Sequence, residues 1–232
     1  FVDELGYVRE AGHAVDFSRA IAETPLCGAV FAPEPLEHLT SRKVLTTTWV
    51  EGQRLDYVAD ATAEGELRRK RRVSQLCGVA MNSYLTMMLE TGILHADPHP
   101  GNLIVEESTG RLAILDWGLV TEMDPDLRLS YIEHIAHLVA KDYGKVPNDL
   151  VKLGFVPEGY EEAIESSDAV AVLTDVYTQF AGGGGAAKID VPAVLTEMRA
   201  LADRQGNLFR LPPYFAYIAR AFSVLEGIGL KN

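Results

Sequence analysis

The spacing of apolar residues divides the chain into a mixed N-terminal part and a helical C-terminal part. Asp3–Thr24 and Glu66–Glu90 carry apolar positions at helical spacing, and Ala29–Glu51 predicts two short strands. After Pro125 apolar side chains recur near every third or fourth residue, which predicts helices over 126–140, 161–180, 191–205 and 212–228. The glycine run at 182–185 predicts a loop between two of these helices. The pattern therefore indicates an α+β fold whose second half is almost wholly helical.

Two short apolar runs near the middle of the chain predict a β-hairpin. Leu103–Val105 and Leu112–Leu115 are joined by residues 106–111, a link rich in turn-forming residues. Strands joined by a short turn run antiparallel, so their far ends are adjacent. Asn102 precedes the first run and Asp116 follows the second. We therefore expect these two polar side chains at the same end of the hairpin, where they can share a metal ion.

Three polar positions around this hairpin match the spacing of a phosphotransferase site. Asp97 and Asn102 stand five positions apart, as the aspartate and asparagine of the protein-kinase catalytic loop do. Asp116-Trp117-Gly118 stands where that signature has its metal-binding Asp-Phe-Gly. Phosphoryl transfer needs a carboxylate that takes or orients the proton of the nucleophile, and oxygen ligands that hold Mg²⁺ against the triphosphate. We assign the first role to Asp97 and the second to Asn102 and Asp116.

Two histidines in the same loop permit a different metal chemistry. His95-x-Asp97-x-His99 together with Asp116 could form a hydrolase site for Zn²⁺ or Fe, since imidazole favours such ions over Mg²⁺. The kinase interpretation also accounts for the asparagine and the glycine of the two motifs, and the hydrolase interpretation accounts for neither. We therefore favour the kinase interpretation and expect a structural role for His95.

Composition bounds the class of protein and of partner. The chain has 232 residues, of which 47% are apolar, so it can bury a full core. We find no run of about 18 apolar residues and expect no membrane span. The net charge of −12 argues against nonspecific nucleic-acid binding.

We expect the basic run Arg68–Arg72 to be a solvated helix face. His134 and His137 stand three apart on a predicted helix without a third ligand nearby, and we expect ordinary core or surface histidines there.

The stretch His95-Ala-Asp-Pro-His-Pro-Gly-Asn102 departs from the ordinary kinase loop in a specific way. Ala96 replaces the arginine beside the catalytic aspartate, a Pro-His-Pro-Gly run precedes the asparagine, and Asp-Trp-Gly follows. With these substitutions the chain resembles the UbiB/aarF-domain family of atypical kinases. The resemblance implies a protein-kinase-like fold with ATP and Mg²⁺ as cofactors. It implies the remnant of an N-lobe over residues 1–52, with the C-helix, strands and hinge, and a helical C-lobe with the catalytic loop and metal-binding hairpin over 53–232.

The same resemblance assigns roles in the N-terminal part of the chain. It implies that Glu10 belongs to the C-helix and pairs with the lysine of strand three. It also implies that residues 43–52 form the strand and hinge that line the adenine pocket. Thr47 then stands near the gatekeeper position, and the hinge consists of Thr48, Trp49 and Val50.

Two departures from the family pattern bear on activity. Gly6 stands where the family's Glu-x-Asp motif has its aspartate, although Glu4 of that motif is present. The family's Lys-x-Gly-Gln helix, alanine-rich nucleotide loop and strand-three lysine would all precede Phe1. We interpret the chain as a fragment or truncated product. Taken alone, we expect it to bind ATP poorly and not to turn it over.

Three functional hypotheses follow. The favoured one is an ATP- and Mg²⁺-dependent atypical kinase or ATPase; the others are a nucleotide-binding or scaffolding pseudokinase and a His/Asp metal hydrolase. The family resemblance implies a role in isoprenoid quinone or prenyl-lipid metabolism, with a lipid or a pathway protein as substrate and peripheral contact with a membrane or lipid droplet. It implies a chloroplast location at thylakoids or plastoglobules, with the mitochondrion or the bacterial cytoplasm as alternatives.

Overall fold

The computed structural model describes residues 6–55, 63–160, 162–163, 196, 200, 203 and 208–230, without the side chains of 63–71, 222 and 226–230. The predicted helices over 161–180 and 191–205 fall almost entirely outside the described residues. The glycine run at 182–185 and Glu4 also lie outside them, as do most side chains of the basic run Arg68–Arg72.

Among the described residues, five α-helices have defined bounds. They are α1 Tyr7–Ala22, α2 Ala63–Thr86, α3 Pro125–Val139, α4 Val146–Lys152 and α5 Pro213–Leu230. A single π-helical turn, Met87–Thr91, continues α2 and ends at Gly92, whose φ is 76°. The helices predicted over 3–24, 66–90, 126–140 and 212–228 are therefore confirmed within the described residues, with ends that shift by a few positions. Among the described helices, none combines the length and apolarity needed to cross a membrane.

Local sequence explains where two of these helices lie. The apolar positions of α1 recur every three or four residues, and the side chains that the helix buries are Ala11, Ala14, Phe17 and Ile21. Helix α3 begins after Asp124, whose carboxylate accepts the N–H of Asp126 at 2.8 Å and that of Leu127 at 3.4 Å. Pro125 occupies the first turn, where its missing N–H costs nothing.

Within the described ranges, six short strands form two sheets. They are β1 Val30–Phe31, β2 Gly52–Arg54, β3 Ile93–His95, β4 Leu103–Glu106, β5 Leu112–Ile114 and β6 Val120–Glu122. The larger sheet has the order β1-β5-β4-β2, in which β1 runs parallel to β5 and the other pairs are antiparallel. The smaller sheet pairs β3 with β6. The predicted hairpin is confirmed as β4 and β5.

The chain separates into two units. One comprises Phe1–Met123 with Arg220–Asn232, and the other comprises Asp124–Ala219. The largest fully buried side chains of the first unit are Phe17, Tyr84, Met87, Leu103, Leu112, Ile114 and Trp117. In the second unit Phe155 stacks on Phe209 with ring centroids 5.6 Å apart. The boundary predicted after residue 52 separates two kinase lobes. The division into these two units does not test that boundary, which stays a prediction.

Candidate active site

Asp97 lies in a short loop between β3 and β4 that is held by its own hydrogen bonds. The main-chain oxygen of Asp97 accepts the N–H of His99 at 2.9 Å and the side-chain amide of Asn102 at 3.0 Å. The N–H of Asn102 bonds to the main-chain oxygen of His99 at 2.9 Å. Pro98 and Pro100 restrict the backbone further, because the proline ring fixes φ. The loop therefore holds the predicted catalytic aspartate and the predicted metal ligand in a fixed relation.

His95, at the end of β3, is fully buried and joins the two motif aspartates. Its Nε2 faces the main-chain oxygens of Leu115 and Asp116 at 3.0 and 2.8 Å. Its Nδ1 lies 3.3 Å from the N–H nitrogen of Asp97 and 3.2 Å from the Tyr84 hydroxyl. Carbonyl oxygens only accept hydrogen bonds, so Nε2 carries the proton and Nδ1 accepts. Burial lowers the pKa of His95, which favours this neutral form and agrees with a structural role.

These contacts weaken the metal-hydrolase interpretation. Both ring nitrogens of His95 are engaged, and Nδ1 of His99 accepts the N–H of Gly101 at 2.9 Å. Among the residues that the structure describes, no group of three or more His, Cys, Asp or Glu side chains is arranged to hold a metal ion. The two loop histidines therefore form hydrogen bonds with the backbone. The loop does not offer a pair of imidazoles to Zn²⁺ or Fe.

The hairpin brings the two predicted magnesium ligands to one end. Leu103 pairs with Ile114, and the N–H of Leu115 bonds to the main-chain oxygen of Asn102 at 2.9 Å. Because the Asn102 side-chain nitrogen donates to the loop, its amide oxygen is left as a ligand atom. Asp116 follows Leu115 directly, and its side chain is exposed. One carboxylate and one amide oxygen, with open positions for water and phosphate, form a donor set that suits Mg²⁺.

The backbone of Asp116 adopts an uncommon conformation with φ of +57°. This left-handed region is costly for most side chains, and aspartate tolerates it better than most. The N–H of Gly118 lies 3.3 Å from Oδ1 of Asp116. A Cβ at Gly118 would stand 3.2 Å from that oxygen and 3.5 Å from Oε2 of Glu10. The glycine therefore leaves room for two carboxylates.

Glu10 on α1 is half-buried and has Asp116 as a charged neighbour. Burial raises the pKa of Glu10, and the Asp116 carboxylate raises it further. Hydrogen bonding with the Trp117 backbone and the charge of His13 offset part of this rise in pKa. The predicted pairing of Glu10 with a strand-three lysine is not tested and stays a prediction. The approach of Glu10 to Asp116 was not predicted from the sequence.

Trp117 fixes the Asp116-Trp117-Gly118 segment to α1. The indole is 2% exposed and stacks on Phe17 with ring centroids 4.3 Å apart. Its other ring neighbour is His95, which it meets edge to face at 5.0 Å. The indole N–H donates to the main-chain oxygen of Ile114 at 2.9 Å, and the main-chain oxygen of Trp117 lies 2.9 Å from Nδ1 of His13. Trp117, the middle residue of Asp-Trp-Gly, thus anchors this segment in the core.

The predicted hinge residues lie on an irregular extended segment. Thr47 forms an isolated antiparallel bridge with Pro35. Thr48 bonds twice to Glu34, through its backbone N–H at 2.9 Å and its hydroxyl at 3.0 Å. The sequence predicted a strand across this segment, and that prediction is wrong: the regular strand β2 begins only at Gly52. Threonine hydroxyls form hydrogen bonds with nearby backbone groups here. For example, Oγ1 of Thr40 accepts the N–H of Thr46 at 3.2 Å.

The adenine-binding role of the hinge residues stays a prediction. Val50 is half-buried, whereas the side chain of Trp49 is 87% exposed. The hydrogen bonds described for Thr48 link it to Glu34.

Arg220 on α5 contacts Asp97 and was not singled out from the sequence. Its Nη2 donates to Oδ1 of Asp97 at 2.8 Å. The two residues are 123 positions apart. No local motif could have indicated this pair, because only the packing of α5 brings Arg220 to the loop.

The two helix-borne histidines of the second unit have a structural partner. Nδ1 of His134 and Nδ1 of His137 lie 3.1 and 2.8 Å from the same oxygen, Oδ2 of Asp149. Asp149 is 1% exposed and His134 is 6% exposed. Burial lowers the pKa of His134, while hydrogen bonding and charge from Asp149 raise it in part. The sequence did not indicate Asp149, which lies beside both imidazoles, and the expectation of ordinary rather than metal-binding histidines stays a prediction.

Comparison with known families gives a match to the ABC1 atypical kinase-like domain over residues 1–150. Curated relatives align with nearly the whole chain. The chloroplastic Arabidopsis thaliana protein ACTIVITY OF BC1 COMPLEX KINASE 3 is 32% identical over 232 residues, which cover 98% of this chain and 30% of the relative. An uncharacterized Synechocystis protein is 32% identical over 228 residues, with coverage of 98% and 31%. The chain thus spans about a third of the length of these relatives.

Comparison with solved structures supports the fold. A Mycobacterium tuberculosis protein, Rv3197, solved in complex with erythromycin, matches with a TM-score of 0.61 and 19% sequence identity. The match covers 98% of this chain and 55% of that protein. Together with the family match, this likeness confirms the predicted α+β, protein-kinase-like fold.

Proposed function

Because the chain belongs to the ABC1 atypical kinase-like family, which is also the aarF/UbiB family, we propose that it acts as an atypical kinase or ATPase that uses ATP and Mg²⁺. One observation carries the proposal. Asp97, Asn102 and Asp116 are joined through a single buried residue, His95, and through the end of one hairpin. Their residue types are those that phosphoryl transfer requires.

Asp97 is the general base of the proposed reaction. Its carboxylate is 29% exposed, so an acceptor hydroxyl or a water molecule can reach it. The main chain of Asp97 is held by Asn102 and His95, which fixes where the carboxylate can point. A positioned base of this kind accepts or orients the proton of the attacking hydroxyl.

Asn102 and Asp116 are the proposed ligands of Mg²⁺. When bound, the ion supplies charge neutralisation at the β- and γ-phosphates of ATP. The amide oxygen of Asn102 and the carboxylate of Asp116 are held at one end of the hairpin, where the metal and the triphosphate would bind. Glu10 adds a second carboxylate beside Asp116, and its proposed partner is the lysine of strand three. Thr47, Thr48, Trp49 and Val50 are the proposed adenine contacts.

The proposed substrate class rests on the family resemblance, and the proposed location on the names of relatives; neither rests on the geometry. Relatives in Arabidopsis thaliana carry chloroplastic names, and others are cyanobacterial. These names support a plastid location for this chain. We place it at thylakoids or plastoglobules, in contact with a lipid surface and in the service of prenyl-lipid or isoprenoid quinone metabolism. A mitochondrial or bacterial cytoplasmic location is the alternative.

A second candidate function is a pseudokinase that binds nucleotide without efficient turnover. The observation that favours it is Gly6, which stands directly before α1 where the family motif has an acid. The side chain of a glycine can neither bind a metal ion nor cap the helix. This candidate predicts ATP binding without turnover that depends on Asp116.

The proposed function is tested by ATP turnover in the protein as its gene encodes it. Turnover is measured with Mg²⁺, with and without quinone-like lipids, in the wild type, Asp116→Asn and Asp97→Asn. We expect both substitutions to lower kcat by on the order of 100-fold or more, since Asp97→Asn removes the proposed base and Asp116→Asn removes a charge that holds the proposed Mg²⁺. The matched control is Asp16→Asn, which neutralises an exposed aspartate of α1. ATP binding without Asp116-dependent turnover would establish the pseudokinase instead.

A further inference from the structure

The ion pair of Arg220 and Asp97 places a cation on the proposed catalytic base. Nη2 of Arg220 donates to Oδ1 of Asp97 at 2.8 Å, which is the length of a charge-assisted hydrogen bond. The side chains are 57% and 29% exposed. Among the described residues Oδ2 of Asp97 accepts no hydrogen bond, so the contact occupies one carboxylate oxygen and leaves the other accessible.

The residue directly before Asp97 in the sequence carries no charge. In the ordinary kinase loop an arginine directly precedes the catalytic aspartate. Here that position is Ala96, a fully buried residue without charge. The cation at Asp97 comes instead from α5, outside the residues 1–150 that match the family domain.

Helix α5 is packed so that Arg220 keeps its position. Two residues of α5 that belong to the same unit as Arg220, Ala221 and Leu225, are buried. These apolar contacts fix the rotation of the helix about its axis. Arg220 is therefore directed at the loop by a buried helix face, and not by a mobile chain end.

We propose that Arg220 is a positioning residue for phosphoryl transfer: it holds Oδ1 of Asp97 so that Oδ2 faces the acceptor hydroxyl. This inference rests on the proposed kinase or ATPase function. Without the guanidinium the Asp97 side chain can rotate, and fewer encounters place its free oxygen against the hydroxyl. Arginine is suited to this task because its planar fork makes directed hydrogen bonds that lysine does not reproduce.

The test compares Arg220→Ala and Arg220→Lys with the wild type at saturating Mg²⁺ and over a series of ATP concentrations, which gives both kcat and KM. We expect kcat of Arg220→Ala to fall on the order of 10- to 100-fold while KM for ATP stays within about twofold, because orientation and not nucleotide binding is lost. Arg220→Lys should recover part of kcat. Added guanidinium should rescue Arg220→Ala, whereas equal concentrations of tetramethylammonium should not.

Two controls separate positioning from folding. Arg19→Ala removes an exposed arginine that pairs with Asp16 on α1 and should leave kcat unchanged. Thermal unfolding of the Arg220 variants should match the wild type within a few degrees, since the side chain is more than half exposed.

The outcomes distinguish this inference from the proposed function. Turnover that is indifferent to Asp97→Asn and Asp116→Asn overturns both. Turnover that needs both aspartates but survives Arg220→Ala at wild-type kcat overturns only the role of Arg220. A rise of kcat in Arg220→Ala also overturns it, because the pair would then block the base.

Discussion

The carboxylates of Glu10 and Asp116 both lie beside Gly118, within 3.5 Å of the point where a Cβ on that glycine would stand. Glu10 comes from α1 and Asp116 from the end of β5, so the two charges meet only in the folded chain. Partial burial, together with the repulsion from Asp116, raises the pKa of Glu10. A divalent cation bound at this point would relieve that repulsion.

Glu10→Gln should raise the melting temperature in the absence of divalent metal. The substitution removes a like charge next to Asp116, and we expect a gain of about 1–4 °C for a chain of this size. Mg²⁺ should then raise the melting temperature of the variant by less than it raises that of the wild type. The measurement is thermal unfolding with EDTA and with Mg²⁺.

The matched control for this prediction is Glu23→Gln, which neutralises an exposed glutamate directly after α1. It should leave the response to Mg²⁺ unchanged. If Glu10→Gln and the wild type respond equally to Mg²⁺, the Glu10 carboxylate takes no part in the metal site.

Trp117→Ala should cost about 3–5 kcal/mol of unfolding free energy, because it removes a large, almost fully buried side chain from the core of the first unit. Trp117→Phe retains an aromatic ring beside Phe17 but loses the hydrogen bond to Ile114, and should cost at least about 1 kcal/mol. Urea unfolding followed by circular dichroism measures both. Trp49→Phe is the control, since that indole is 87% exposed and its loss should change stability by less than about 0.5 kcal/mol.

Acid should destabilise the protein through His134. Burial lowers the pKa of His134 in the folded chain below its usual value, so the unfolded chain binds a proton more readily. The stability that His134 contributes is therefore fully present above about pH 6.5, the ordinary pKa of histidine. It is lost progressively as the pH falls from there through the lower folded-state pKa.

The free energy of unfolding should accordingly fall less steeply between about pH 7 and pH 5 in His134→Gln than in the wild type. Urea titrations at several pH values provide the slopes. His38→Gln, at an exposed position, should keep the wild-type slope. Equal slopes for His134→Gln and the wild type would mean that Asp149 compensates fully for the burial of the imidazole.

The elements that the sequence predicted well are those that local pattern determines. The hairpin β4–β5 follows from two apolar runs and a turn, and helix α3 follows from the apolar spacing after Pro125. The loop from Asp97 to Asn102 could be identified because its chemistry is concentrated in six consecutive residues. Its internal hydrogen bonds are local as well.

The features that the sequence did not predict depend on contacts between distant segments. Strand β1 has only two residues and pairs in parallel with β5. No short turn connects parallel strands, so the sequence contains no local pattern that predicts this pairing. Strand β6 follows the Asp116-Trp117-Gly118 segment and pairs with β3. The contact of Arg220 with Asp97 and that of Glu10 with Asp116 likewise depend on how α5 and α1 pack, which periodicity cannot specify.

The aromatic contacts of Trp117 have a mechanical consequence. Phe17 on α1, the indole and His95 form a continuous chain of ring contacts that ends at the backbone of the proposed base Asp97 and of the proposed metal ligand Asp116. Rings packed in this way transmit displacement, because a buried core yields little to compression. A partner that shifts α1 would therefore act on Asp97 and Asp116 together, and it could tune phosphoryl transfer without touching the nucleotide or the acceptor.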